Sequence, residues 1–366
     1  ALLYGGKSGE HEVSIQTAFS VIKVLDMTRY EPIPVYISPD GDWRQGEPLT
    51  APPETIEQLR FTGQTTSHRP YGQEEKRNRP TIFPSADSAG SWLDADVVFP
   101  LLHGPNGEDG TVQGLLELAG LPYVGSGVAA SAVGMDKALM KSVFAAHGLP
   151  QAAYRVYTRK QWEQAPETVA DEIIGQLGLP CFVKPANLGS SVGISKAKTK
   201  EELYAAMDLA ARFDRKIIVE EFVDGREIEV AVLGNDDPIA SVPGEIVPSK
   251  EFYDYEAKYL DGQSTLVIPA KLPEATAEKI RQMALQAFKA VDAAGLSRVD
   301  FFLTRDTGEI LVNEINTLPG FTQYSMYPLL WQHSGVSYPE LIDRLIRLAL
   351  ERHEEKQRSQ IIPDKF

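Results

Sequence analysis

Apolar residues recur along this chain in two rhythms, one of period two and one close to 3.6. The opening LLYGG reads as a strand ending in glycine, and EVSIQTAFSVIKVLD then sets Val13, Ile15, Ala18, Phe19, Ile22 and Leu25 on one helical face. EPIPVYIS alternates as a second strand, and DGDW marks a turn. From about Gly46 to Gly90 the chain is rich in Pro, Gly, Ser and charge and predicts short elements at best. ADVVFPLLHG resumes as a buried parallel strand, with TVQGLLELAG as the helix after it. Strand–helix alternation to about Tyr123 predicts an open α/β first domain.

Beyond Tyr123 the pattern changes. VAASAVGMDKALMKSVFAAHG reads as one helix stopped by Gly148 and Pro150, followed by the strand YRVYT, a long acidic helix, and the strands PCFVKP and VGISKA. KEELYAAMDLAARF is amphipathic, and IIVEEF and REIEVAVLG are strands separated by Asp224 and Gly225. SKEFYDYEAKYLDGQS has neither period and predicts a long surface loop. EATAEKIRQMALQAFKAVDAAG is a helix ending at Gly295, SYPELIDRLIRLALERH is another, and EEKQRSQIIPDKF predicts a loosely held tail. No internal repeat is visible.

Composition narrows the function. With 366 residues and 43% apolar content, two or three domains are expected. There is no uncharged apolar run of about 18 residues, so no membrane span is predicted. ALLYGG opens into a strand-like run without a basic region or an A-x-A pattern, which points to a cytoplasmic protein. The single cysteine, Cys181, lies in the apolar run LPCFVKP and reads as core. Six histidines without Cys/His zinc spacing leave any metal to oxygen ligands, which favours Mg²⁺. A net charge of −15 with no basic stripe argues against a nucleic-acid partner.

Chemistry concentrates in a predicted hairpin. SRVDFFLTR and EILVNEIN flank Asp306-Thr307-Gly308, which reads as a three-residue loop. That register opposes Arg305 to Glu309, Asp300 to Glu314 and Arg298 to Asn316. It sets Arg298, Asp300, Glu314 and Asn316 on one face, with Val299, Phe301, Leu311 and Ile315 on the other. Two carboxylates facing each other repel unless a cation lies between them. A divalent metal on Asp300, Glu314 and the Asn316 amide satisfies that pattern, and so does a solvated face on which Arg298 pairs with Asp300.

FVKPANLGSSVGISK joins a strand, Lys184 and a loop of Gly189, Ser190, Ser191, Val192 and Gly193 to a second strand. Backbone N–H groups in such a loop can approach phosphate oxygens beside a lysine point charge, although an ordinary hairpin loop has the same look and no Walker spacing is present. Glu220 and Glu227 suit an adenine amino group or ribose hydroxyls, or are plain strand acids. GGKSGEHEVS lacks the G-x-G-x-x-G spacing of a dinucleotide fingerprint, and HGPNGEDG places His103 at the end of a strand in a glycine-rich loop.

Taken together, GEHEVS, HGPNGEDG, MDK, VKPANLGSSVG, VEEFVDGREIEV, FYDYEAKY, SRVDFF and NEINTLPGFTQYSM resemble, in order, the motif set of the D-alanine–D-alanine ligase family of the ATP-grasp superfamily. The resemblance spans Gly9 to Met326. It implies an α/β protein with α+β parts and three domains: an N-terminal α/β domain over 1–125, a central ATP-grasp subdomain over 126–224, and a C-terminal one over 225–366 with a lid loop at 248–263. It implies ATP as a substrate, with Lys137, Lys184 and Lys258 on phosphates, the loop Gly189, Ser190, Ser191 and Val192 closing over them, and Glu220 and Glu227 at adenine and ribose. Asp300, Glu314 and Asn316 match ligands of two Mg²⁺ ions, replaceable by Mn²⁺.

For the amino-acid substrates, the resemblance sets Glu12 at the ammonium of the first of two D-alanine molecules and His103 beside it, with Ser325 and Met326 at the second. Arg298 and the Gly320 N–H are similar to the family's oxyanion hole, and Glu12, Ser190 and Tyr259 to its interdomain hydrogen-bonded triad. Tyr259 in place of histidine implies a peptide-forming rather than a D-lactate ester-forming member. A homodimer and activation by K⁺ are further family expectations, and peptidoglycan precursor synthesis is the implied role.

Overall fold

The computed structural model describes residues 1–61, 93–189, 192–247 and 265–360. Three sheets organise these residues. The first is built from β1 (Leu2–Gly5), β2 (Pro34–Ile37), β3 (Trp43–Gln45) and β4 (Phe99–Pro100), in the order β3-β2-β1-β4. The strands β1, β2 and β4 run parallel and β3 is antiparallel, so the residues after the DGDW turn form a strand. Helix α1 (His11–Val24) follows β1, and α2 (Thr111–Leu118) follows β4.

Alternation along β1 explains why both faces of this sheet are covered. Leu2 and Tyr4 join α1 in one core, while Leu3 packs beneath Val112 and Leu116 of α2 in another. The first of these cores continues into the far end of the chain. Leu341, Ile342, Leu345, Ile346 and Ala349 form its stripe on the last helix, at the spacing that puts residues on one helical face. Four large side chains so buried contribute roughly 6–12 kcal/mol of gross hydrophobic stabilisation.

The expected single helix around MDK is two: α3 (Val128–Met135) and α4 (Lys137–Ala146). Asp136 breaks the run by taking an extended conformation, and its carboxylate caps α4 by accepting from the Ala138 and Leu139 N–H groups, both at 3.1 Å. The second sheet comprises β5 (Tyr154–Thr158), β6 (Cys181–Pro185), β7 (Ser195–Ala197) and β8 (Lys216–Glu221), ordered β5-β8-β6-β7 and all antiparallel. The long acidic helix before it is also two, α5 (Arg159–Gln164) and α6 (Pro166–Leu177), because proline has no N–H with which to continue a helix and sits at the start of the second. These helices and α7 (Lys200–Phe213) cover one face, where Cys181 is fully buried.

The third sheet holds β9 (Gly225–Gly234), β10 (Ile239–Ala240), β11 (Gly244–Val247), β12 (Thr265–Val267), β13 (Gly295–Thr304) and β14 (Ile310–Asn316). Helix α8 (Glu274–Ala290) packs on it and ends before Gly295, which already belongs to β13. The chain turns out of α8 through Asp292, whose φ is 58°, and Gly295 at φ 73° lets Gly125 approach to 3.2 Å from where a Cβ would stand. Helices α9 (Met326–His333) and α10 (Tyr338–Gln357) complete the chain, so the first part of the expected tail is helical.

The hairpin of β13 and β14 pairs Arg298 with Asn316 and Asp300 with Glu314, as its spacing predicts. Nearer the turn the register shifts by one, with Phe301 facing Val312 and Leu303 facing Ile310. The loop therefore has one more residue than expected, and Arg305 does not oppose Glu309. Thr304 closes that turn through its hydroxyl, which accepts from the Glu309 N–H at 2.8 Å and meets the Thr307 hydroxyl at 2.6 Å. A bulge at Asn313 then restores the register at the carboxylates. One consequence is that Leu311 lies opposite Phe302, on the Asp300 face, while Val312 takes the expected place of Leu311 beside Phe301.

Candidate active site

The lysines converge from two elements. Because Asp136 caps α4, the helix starts at Lys137, and Lys137 and Lys141 are one helical turn apart on the side facing β6 and β8. The Lys137 backbone N–H donates to the Ala186 carbonyl at 2.9 Å, tying α4 to the end of β6, and its ammonium donates to the Leu188 carbonyl at 2.8 Å. The same ammonium lies 3.8 Å from a Glu314 carboxylate oxygen. Lys184 is the penultimate residue of β6, and register sets it near Glu220 of β8, whose neighbour across the sheet is Phe182.

Glu220 is enclosed between cations: Lys141 Nζ is 2.8 Å from one of its oxygens, and Lys184 pairs with the other. Burial would raise its pKa, but the two lysines outweigh that and hold it down to about 2. Burial likewise works against charge on Lys184, yet Glu220 and Glu314 raise its pKa above the ordinary lysine value. Phosphate oxygens placed beside Lys184 would meet an ammonium held in its charged form.

Across the site, β9 and β13 present a second charged group. Alternation sends Ile228, Val230, Val299 and Phe301 into the core against α8, and leaves Glu227, Glu229, Arg298 and Asp300 on the opposite face. The Arg298 guanidinium donates to both oxygens of Asp300 at 2.7 Å, and its Nε lies 3.0 Å from Glu229. Burial opposes the charge, but Asp300 and Glu229 hold the arginine pKa well above its usual value. Asn316 uses its amide oxygen to accept from the Leu318 N–H at 2.9 Å, which leaves that oxygen a further lone pair. Asp300, Glu314 and Asn316 offer only hard oxygen donors, a set that fits Mg²⁺, although Arg298 stands on Asp300 as the solvated-face reading also expects. Among the described residues no three His, Cys, Asp or Glu side chains cluster as a metal cage.

The remaining predicted residues border this centre. His103 is buried just past β4, with Nε2 3.1 Å from the Thr17 hydroxyl and Nδ1 3.7 Å from Glu108. Burial would lower its pKa, yet Glu108 and Glu10 raise it. Gly104, at φ 76°, leaves room for Glu10, whose carboxylate would come within 2.8 Å of a Cβ there. Gly189 approaches the same Glu10 and Glu108 carboxylates from the small-residue loop, with the Val192 N–H on its carbonyl at 3.3 Å. Glu12 is exposed and forked by Arg60, which lowers its pKa. Ser325 precedes α9, and its hydroxyl turns back to accept from the Thr322 N–H at 3.0 Å, with Gly320 against it. The Met326 side chain turns into the core, so a ligand there would meet backbone.

Comparison with known proteins then decides the family. A model described as the D-Ala D-Ala ligase N-terminus matches residues 1–126, and one described as the D-Ala D-Ala ligase C-terminus matches residues 143–347. The chain is 59% identical to a D-alanine–D-alanine ligase of Geobacillus kaustophilus, over 97% of this chain and 95% of that protein. It is 52% identical to one of Heliobacterium modesticaldum, over 98% and 96%. The chain belongs to the D-alanine–D-alanine ligase family. Among solved structures, the D-alanine–D-alanine ligase of Coxiella burnetii superposes with a TM-score of 0.80 at 38% identity, covering 98% of this chain and 95% of that one. The VanG D-Ala:D-Ser ligase of Enterococcus faecalis also gives 0.80, at 34% identity over 95% and 98%. The fold is therefore that of the ATP-grasp ligases, and no described helix is long and apolar enough to cross a membrane.

Within this ligase family member, sequence reasoning missed Lys141, Glu229 and Arg60. Two of the three carried a signal. Lys141 follows Lys137 by one helical turn, and Glu229 follows Glu227 on the same face of a strand. Arg60 carried none, because its pairing with Glu12 joins positions 48 apart in sequence. Ser190, Ser191, Lys258, Tyr259 and the 248–263 loop lie outside the described residues.

Proposed function

We propose that this chain joins two D-alanine molecules to D-alanyl-D-alanine at the expense of ATP, through a D-alanyl phosphate, as a step of peptidoglycan precursor synthesis. The observation that carries the reading is the meeting of Lys137 with Glu314 and of Lys184 with Glu220 and Glu314, which brings charged groups of α4 and of the second and third sheets together. ATP would lie at that meeting, with Lys137, Lys184 and Lys258 on its phosphates, the Gly189, Ser190, Ser191 and Val192 loop over them, and Glu220 and Glu227 toward adenine and ribose. Glu12 takes the first D-alanine ammonium, with His103 beside it, and Ser325 and Met326 border the second D-alanine.

Phosphorylating the first carboxylate makes it an acyl donor, and the second amino group then attacks its carbonyl carbon and expels phosphate. Arg298 and the Gly320 N–H face the oxygen that gains charge in that attack. Asp300, Glu314 and Asn316 would hold Mg²⁺, up to two ions, which supply charge neutralisation at the phosphates. Glu12, Ser190 and Tyr259 link the lid loop to the first domain, keeping water from the acyl phosphate. The division at residues 125 and 224 belongs to the same reading, supported by three sheets that each fall within one segment. A cytoplasmic homodimer activated by K⁺ completes it.

Phosphate release from ATP should depend on D-alanine, and the product should be the dipeptide in competition with D-serine and D-lactate. ATP turnover independent of D-alanine would overturn the reading. Mainly depsipeptide product at neutral pH would move the chain to the ester-forming ligases.

A further inference from the structure

Lys141 has no place in the chemistry just described, yet its side chain is 1% exposed and carries a charged group into the interior. Its ammonium is 2.8 Å from Glu220 and lies 5.5 Å from the centre of the Tyr154 ring. At that depth it is shielded from solvent, with Glu220 against its ammonium. Stability is not a sufficient reason for it, since a buried ion pair commonly contributes no more than a well-packed apolar residue. Its position is set rigidly by the helix: Asp136 caps α4, the Lys137 N–H binds the end of β6, and Lys141 follows one turn later.

We infer that Lys141 is a positioning residue for nucleotide use, the standing counter-ion of Glu220 that frees Lys184 to leave that carboxylate for a phosphate. The inference rests on the ATP reading above. Lys184 pairs with one oxygen of Glu220 and Lys141 with the other. When Lys184 turns to a phosphate, the nucleotide offers Glu220 at most a neutral donor, so without a second cation the buried carboxylate would be left with no counter-ion, and that penalty would oppose ATP binding. With Lys141 in place, Glu220 keeps a counter-ion at 2.8 Å and a fixed orientation throughout the exchange. Two lysines on one carboxylate thus divide the work: one stays and the other moves.

The test is Lys141→Met, with Lys141→Arg, Glu220→Gln and the Lys141→Met/Glu220→Gln double variant, read as KM for ATP, kcat, KM for D-alanine and Tm. Lys141→Met should raise the ATP KM roughly ten- to hundredfold, the scale of one hydrogen bond to a charged group, with a smaller change in kcat and none in D-alanine KM. Lys141→Arg should recover much of the loss. In the Glu220→Gln background, where no carboxylate can be stranded, Lys141→Met should leave ATP KM nearly unchanged. If Lys141→Met does not fold, Lys141→Gln carries the same expectation. An unchanged ATP KM in a folded Lys141 variant would overturn the inference, as would a loss that persists undiminished with Glu220→Gln, which would mark Lys141 as structural. Calorimetric titration of the wild-type enzyme with ATP separates these outcomes from a failure of the ATP reading itself, since no binding there would sink both.

Discussion

Replacing Arg298 with methionine removes the cation shared by Asp300 and Glu229 while keeping most of the side-chain length. The guanidinium, 16% exposed, sits on both oxygens of Asp300 and 3.0 Å from Glu229. Those two acids are directly opposed across β9 and β13. Left alone, two like charges about 5 Å apart repel by about 3 kcal/mol at an effective dielectric constant near 20. Breaking a buried pair from one side costs about 3–5 kcal/mol, so the lower figure is the fitting one for a group with residual exposure. At about 2–4 °C per kcal/mol, Tm should fall by about 6–12 °C.

Turnover and metal binding should then move in opposite directions in the Arg298→Met variant. Loss of an oxyanion donor predicts a fall in kcat of roughly 10²–10³, with ATP affinity less affected. Removing the competing cation from Asp300 should make Mg²⁺ raise Tm more in the variant than in the wild type. The assays are D-alanine-dependent phosphate release and thermal denaturation with and without Mg²⁺. Unchanged kcat with an equal loss of ATP affinity, or the same Mg²⁺ stabilisation in both proteins, would show that Arg298 anchors the ground state and does not contend with a metal.

Glu314→Gln keeps shape and loses charge, so the fold should persist while Mg²⁺-dependent turnover drops by at least roughly tenfold, the scale of even outer-shell losses at metal sites. Wild-type turnover in that variant would rule Glu314 out as a ligand. Arg60→Ala should change stability by less than about 1 kcal/mol, because the pair with Glu12 is largely exposed, yet lower the KM for the first D-alanine by releasing Glu12 to the substrate ammonium. A raised KM would instead make Arg60 part of the binding site. Glu220 is held at about 2, below the ordinary 4.5, so its contribution to stability is present above pH 4.5 and lost as pH falls toward 2. Denaturant unfolding across that window should show the loss in the wild type and a flatter profile in Glu220→Gln, and parallel profiles would mean that the carboxylate titrates normally.

The amino-acid order alone determined the local devices of this ligase: period-two strands, amphipathic helices, and a hairpin whose two carboxylates must share a face. Those features depend on neighbours within a turn or a strand, where propensity and side-chain period act directly. Even there the agreement at Asp300 and Glu314 survived a loop one residue longer than expected only because a bulge at Asn313 compensated. The helix breaks at Asp136 and Pro166 were missed, because a continuous apolar period outweighed the local signals of a capping acid and a proline. Tertiary structure decided the rest. The pairing of Lys141 with Glu220, of Glu12 with Arg60, and of Arg298 with Glu229 joins residues far apart in the chain. Which cation faces which carboxylate is settled by how helices and sheets pack, since a charged side chain alone has no preference among distant partners until burial removes water as the alternative.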